Sequence, residues 1–215
     1  MAKSSKPAGN LWLADELWKL NAIDFGDFTL GRTAVHSPIY INLRRLISNP
    51  KALARCAKII REELEALMSM RHPQVHPFTV VAGVPFGGLH VATAFSLNVN
   101  SPMIYIHPPS TDKADIIEGR YVRGQTCLVI DDLITGGGSI LQTAATLSEA
   151  GLVVRDAVTL VDRQEGGRAA LRQAGINLVS VLTLEQIATY LMSAGHIPEE
   201  DYRRAMSYIE SRSVS

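Results

Sequence analysis

The sequence predicts an α/β chain: a mainly parallel sheet flanked by helices, with a small hood of strands at the amino end. Three observations carry this. Phe78 to Val84, Cys127 to Ile130, Val153 to Val161 and Ile176 to Leu182 are mostly apolar runs, the pattern of strands covered on both faces. Segments of helical period separate them, as a parallel sheet requires of its crossovers. The length of 215 residues suits one domain with a substantial core.

Taken in order, Leu11 to Ile23 carries apolar residues at helical spacing until Asp24-Phe25-Gly26-Asp27 breaks it. Phe28 to Leu30 and Ile39 to Leu43 read as short strands, joined by a polar connection ending in Ser37-Pro38, so residues 10–45 form the hood. Ser48-Asn49-Pro50 starts a long amphipathic helix over Lys51 to Met70, and the core spans about residues 50–192. Strand Phe78 to Val84, helix Leu89 to Leu97 and strand Met103 to Ile106 follow. His107 to Gly124 is a polar stretch of about 18 residues, long enough to be a functional loop. After the strand from Cys127, the alternation continues with helix Ser139 to Ala150, strand Val153 to Val161, helix Gly167 to Ala174 and strand Ile176 to Leu182. Thr183 opens a final pair of helical segments, the last an exposed tail over 193–215.

Lys+Arg and Asp+Glu both number 21, so no global field holds nucleic acid or an anionic membrane, and any anion has to be bound locally. The first ten residues lack the apolar run of a secretory leader, and no stretch reaches about 18 uninterrupted apolar residues. Cys56 and Cys127, one in a helix and one in a strand, read as buried thiols. The expectation is a soluble cytoplasmic protein. His72 and His76 have metal-like spacing, but the prolines around them favour a solvated loop, while Trp12 and Trp18 read as packing for the first helix or a dimer surface.

The chemistry concentrates in "CLVIDDLITGGGSIL", Cys127 to Leu141. Asp131 and Asp132 end an apolar strand, and ligands of parallel sheets sit beyond strand carboxyl ends. Thr135, Gly136, Gly137, Gly138 and Ser139 then lead into a helix. Successive backbone N–H groups and the helix dipole converge there on one point, a phosphate cradle, with two hydroxyls added. Glycine lets an oxyanion approach the backbone. The acid pair repels phosphate and is suited instead to accepting hydrogen bonds from vicinal hydroxyls or to water-mediated contact with Mg²⁺. A phosphorylated ribose meets both demands.

"LVIDDLITGGGS" resembles the phosphoribosyl pyrophosphate (PRPP) signature of type I phosphoribosyltransferases. "SPIYINLRRLISNPKAL", "VAGVPFGGLHVAT", "IEGRYVRGQTC" and "DAVTLVDRQEGGRAALRQAGINLVSVLTL" extend the resemblance, over roughly residues 10–192, to the orotate phosphoribosyltransferases, especially the form that is the first domain of UMP synthase. The resemblance implies the type I phosphoribosyltransferase fold, usually a homodimer, and a glycosyltransferase that makes orotidine 5′-monophosphate and pyrophosphate from orotate and PRPP with Mg²⁺ held through the substrate. It implies ribose on Asp131 and Asp132, the 5′-phosphate on Thr135 to Ser139, and pyrophosphate on main chain of Val84 to Gly88, Pro85 and Gly87 included. Arg163 would grip the orotate carboxylate bidentately and Tyr40, near Asn42, would meet the pyrimidine. Residue-level alternatives are an arginine capping a strand end and a core tyrosine. A pyrimidine-pathway enzyme partner is a further expectation.

The chain departs from the family in its cations. The long loop of the family opens on Arg-Lys and carries another Lys and a His or Tyr, whereas this chain reads "IYIHPPSTDKADIIEG" and looks about two residues shorter. His107 and Lys113 are what remains for loop catalysis over 107–119. The hood's Leu-Lys-Ser-Gly becomes Leu30-Gly31-Arg32-Thr33, with Arg32 one position from the missing lysine. Charge develops on departing pyrophosphate, and each missing charge-assisted contact is worth about 1.5–3 kcal/mol, so turnover is expected to be weakened. His107, Lys113, Arg120 and Arg123 are candidate substitutes. The alternative function is a catalytically impaired relative that binds PRPP or a nucleotide in a regulatory or partner role.

Overall fold

A computed structural model describes residues 9–30, 34–107 and 116–213. Its main sheet has six strands in the order β5-β4-β3-β6-β7-β8, and all neighbouring pairs are parallel except β5, which runs antiparallel to β4 at one edge. The strands are β3 (Val80–Gly83), β4 (Met103–Ile106), β5 (Ile117–Glu118), β6 (Thr126–Ile134), β7 (Val153–Asp162) and β8 (Asn177–Thr183). The hood is an antiparallel pair, β1 (Ile23–Leu30) and β2 (Ala34–Ile41).

Strand alternation divides the core. Val81, Leu128, Ile130, Val158 and Leu160 face one apolar cluster with α1 (Trp12–Lys19), α2 (Pro50–Met68) and α6 (Leu184–Ser193). Val80, Ala82, Cys127, Val129 and Ala157 face the other, with α4 (Gly138–Glu149) and α5 (Gly167–Gln173). Between β3 and β4 runs α3 (Gly87–Val99). Local chemistry sets the helix ends: Asn49 caps α2 by accepting from the Ala52 N–H, with Pro50 in its first turn, and Thr183 and Gln186 form a reciprocal capping box on α6.

The expected strands and helices are present, with shifted limits. The first helix stops at Lys19 because Asn21 takes a positive φ of 50° and Ala22 bonds back to Leu17, which lets β1 begin at Ile23 rather than Phe28. The terminal segment is not an exposed tail. Helix α7 (Glu199–Ser213) buries Ala205, Tyr208 and Ile209 along one stripe, and Arg204 donates to the Gly26 carbonyl of the hood. His72 and His76 lie in an exposed loop, as expected, and His76 is also anchored there: its N–H lies 3.0 Å and its Nδ1 2.9 Å from the buried Asp156 carboxylate, which also accepts from Asn177. Trp12 is buried beneath the Arg55 guanidinium, and Trp18 stacks on His196.

Both cysteines are buried, and burial raises each thiol to about 12. Thiolate is the reactive form. The native protein is therefore expected to give almost no reaction with a disulfide reagent at pH 8, while denaturant releases both thiols per chain. Rapid native labelling of either cysteine would contradict the packing described.

Candidate active site

The site arises from a mismatch in strand length. β3 ends at Gly83, opposite Ile130, while β6 continues against β7 to Ile134, opposite Asp162. From Asp131 onward one flank of β6 has lost its neighbouring strand, and the Val84–Gly88 turn takes its place, tied by the Val84 N–H to the Ile130 carbonyl. The chain leaves β3 for β4 on one side and β6 lies on the other, so the gap is the switch point of the sheet. Asp131 and Asp132 thus lie within a longer strand than the sequence suggested, but beside an open flank.

Glycine makes the gap narrow. A Cβ on Gly87 would lie 2.2 Å from Asp132 Oδ2, and one on Gly88 would lie 2.5 Å from the Ile130 carbonyl oxygen and 2.8 Å from Asp131 Cα. Neither glycine has a positive φ, so close approach is the reason for them. The peptide Pro85–Phe86 is cis. Beyond Ile134 the chain turns through Thr135-Gly136-Gly137, and Gly137, at φ 82°, is the N-cap of α4. Gly167 supports this turn, since a Cβ there would meet the Thr135 carbonyl at 2.3 Å. Among the described residues, nothing beyond the adjoining chain lies within 4 Å of where a Cβ on Gly136 or Gly138 would stand, so the amide-rich rim is open.

Burial pushes the Asp131 carboxyl well above its ordinary value, with repulsion from Asp132 adding to it. Burial raises Asp132 too, opposed by a hydrogen bond from Asp131 and by the positive charge of Arg44. The Asp132 N–H donates to Asp131 Oδ1 at 2.8 Å. Burial and repulsion both favour the protonated form of the pair, most strongly at Asp131. A divalent ion or a set of hydroxyl donors would stabilise the charged form of such a pair.

Tyr40, Asn42, Arg44, Gly87 and Asp132 border one cavity of about 210 Å³. Pro85, Phe86, His107 and Ser139 border another of about 350 Å³. The structure thus brings Tyr40, Gly87 and Asp132 together, and His107 with Pro85 and Ser139. Arg163 lies elsewhere in character: its side chain is 1% exposed and donates to Glu165 Oε1 (2.7 Å), Ser37 Oγ (2.8 Å) and the Ile39 carbonyl (3.2 Å). It is a buried latch between the end of β7 and the hood, not a surface strand cap. Lys113 and Arg32 fall outside the described residues. Arg44 is the site residue sequence reasoning passed over; its only signal was its place two residues after Asn42.

No protein-family model matches the chain. An orotate phosphoribosyltransferase of Chlamydia caviae is 38% identical over 200 residues, covering 91% of this chain and 92% of that protein. The chain belongs to the orotate phosphoribosyltransferases. The uridine 5′-monophosphate synthase of Bos taurus is 35% identical over 92% of this chain, which spans 40% of the bovine protein. Among solved structures, the UMP synthase of Leishmania donovani superposes with a TM-score of 0.81 at 32% identity, covering 96% of this chain and 43% of that one. The orotate phosphoribosyltransferase of Aeropyrum pernix gives 0.69 at 32% identity, covering 85% and 99%. The type I phosphoribosyltransferase fold expected from the PRPP-like motif is therefore the fold of this chain. No helix among the described residues is long and apolar enough to cross a membrane.

Proposed function

We propose that the chain transfers the ribosyl 5-phosphate group of PRPP to orotate, giving orotidine 5′-monophosphate and pyrophosphate in pyrimidine biosynthesis. The observation that carries this is the acid pair at an open strand flank running directly into the Gly137-capped N-terminus of α4. Asp131 and Asp132 accept hydrogen bonds from the ribose hydroxyls. Main-chain amides and hydroxyls of Thr135 to Ser139 hold the 5′-phosphate at a helix N-terminus. Pro85 and Gly87 bring main chain to the pyrophosphate, and Tyr40 packs near the pyrimidine. Arg163 is assigned to the orotate carboxylate, which it reaches by giving up its hydrogen bonds to Ser37 and the Ile39 carbonyl. His107 and Lys113 are the loop residues assigned to catalysis.

Among the described residues no group of three or more His, Cys, Asp or Glu side chains could cage a metal. Mg²⁺ fits this site in another way, because it keeps several waters and binds through one or two carboxylates plus substrate phosphates. Asp131 and Asp132 would hold it through water and the ribose hydroxyls, and it would neutralise charge on the leaving pyrophosphate. A soluble cytoplasmic homodimer, with a neighbouring pyrimidine-pathway enzyme as partner, completes the proposal. The relatives above bear enzyme names and give no support to a silent binding role.

Pyrophosphate release that requires orotate, PRPP and Mg²⁺ together is the expected result. Asp132→Asn should lower it by about 100-fold or more, the scale of removing one preorganised polar contact. Orotate-independent release, or none at high protein concentration, would refute the assignment.

A further inference from the structure

The furanose ring fixes a direction in the site. Its 2- and 3-hydroxyl edge lies between C1, which carries pyrophosphate, and C4, which carries the phosphorylated arm. With the arm at α4 and the diol on Asp131 and Asp132, the leaving group points to the side of the acid pair away from α4. The 210 Å³ cavity lies on that side, bordered by Gly87 and Asp132, and by Tyr40 from the side assigned to the incoming base, but by no residue of α4.

Cations that could face this cavity are few among the described residues. Ile117 pairs with Ile106 and Glu118 with Tyr105, so β5 runs antiparallel and carries Arg120 toward the amino ends of the strands. Arg123 goes the same way, since Gly124 donates to the Gly151 carbonyl at the turn before β7, at the far end of the sheet. Arg45 turns back to the Leu20 and Asn21 carbonyls. Arg163 is buried under the hood. His107 borders the other cavity. Arg44 remains: it lines the leaving-group cavity with Asp132, its Nε lies 3.4 Å from Asn42 Oδ1, and its charge reaches Asp132.

We propose that Arg44, delivered by the segment just after β2, is the cation that meets the pyrophosphate of bound PRPP and stabilises it as it leaves. This rests on the PRPP-dependent reading above and names a residue that reading does not use. A guanidinium suits the role because its planar fork pairs with two phosphate oxygens at once.

Calorimetry on the whole chain with Mg²⁺ separates the possibilities. Arg44→Gln should weaken pyrophosphate and PRPP by about 10- to 100-fold, the scale of one charge-assisted contact. Orotidine 5′-monophosphate, which lacks pyrophosphate, should change by no more than about twofold. Arg44→Lys should recover part of the loss, and an unchanged melting temperature should accompany both variants. Unaltered pyrophosphate binding in Arg44→Gln, or equal weakening of the mononucleotide, would overturn the role of Arg44 while leaving the transferase reading standing. Failure of the unmodified chain to bind PRPP would overturn both.

Discussion

Gly87→Ala is expected to lower kcat/KM for PRPP by about 100-fold or more while the protein stays folded. The backbone itself tolerates alanine, since Gly87 opens α3 without a positive φ and alanine is the better helix former. The obstacle is the new methyl group, which would stand 2.2 Å from Asp132 Oδ2 and 2.5 Å from Oδ1. Asp132 must then leave its position. The effect is thus predicted to run through one carboxylate, and a double-mutant cycle tests that. In an Asp132→Ala background, Gly87→Ala should add little, about threefold at most, because the group it displaces is already gone. Independent, fully multiplying losses would mean that the gap serves something other than Asp132. Near-normal activity of Gly87→Ala would mean that the narrow gap has no part in catalysis.

Asp131→Asn is expected to remove activity and yet stabilise the unliganded protein near neutral pH. Folding raises the Asp131 pKa through burial and the nearby Asp132 charge, so the folded state keeps a proton that the unfolded chain releases above about pH 4. Stability from this group is complete below the unfolded pKa and is lost as pH rises through the raised folded one. Asparagine keeps the shape of the protonated acid and never takes up the charge. Its melting temperature should match that of the unmodified protein near pH 4 and exceed it increasingly toward neutrality, each 1 kcal/mol amounting to about 2–4 °C in a chain of this size. PRPP with Mg²⁺ should reverse the order, stabilising the unmodified protein more. An advantage for the variant that is greatest at acid pH would have the wrong sign and would exclude the assigned proton.

What the amino-acid order made legible was local. Apolar runs marked β3, β4, β6, β7 and β8, and the string from Asp131 to Ser139 marked the cradle, because amide-rich turns, caps and strand ends are built from consecutive residues. Limits were less legible: the first helix ends at a left-handed Asn21, a conformation no apolar periodicity encodes. Residues whose role depends on distant partners were the hardest. Arg163 reads as a strand-end cation in one dimension, and folding surrounds it with Ser37 and Ile39, more than 120 positions away. His76 likewise meets Asp156 across 80 positions, and α7 meets the hood across 178.

By itself, then, the order of residues determined the class of sheet, the ribose-phosphate motif and the family resemblance, since each depends on neighbours along the chain. Only the tertiary structure decided that β3 stops level with Ile130, that Gly87 lies against Asp132, and that Arg44 shares their cavity while Arg120 and Arg123 run to the other end of the sheet. Strand register and crossover geometry place such groups, and both are settled when the whole core packs, through contacts between segments far apart in sequence.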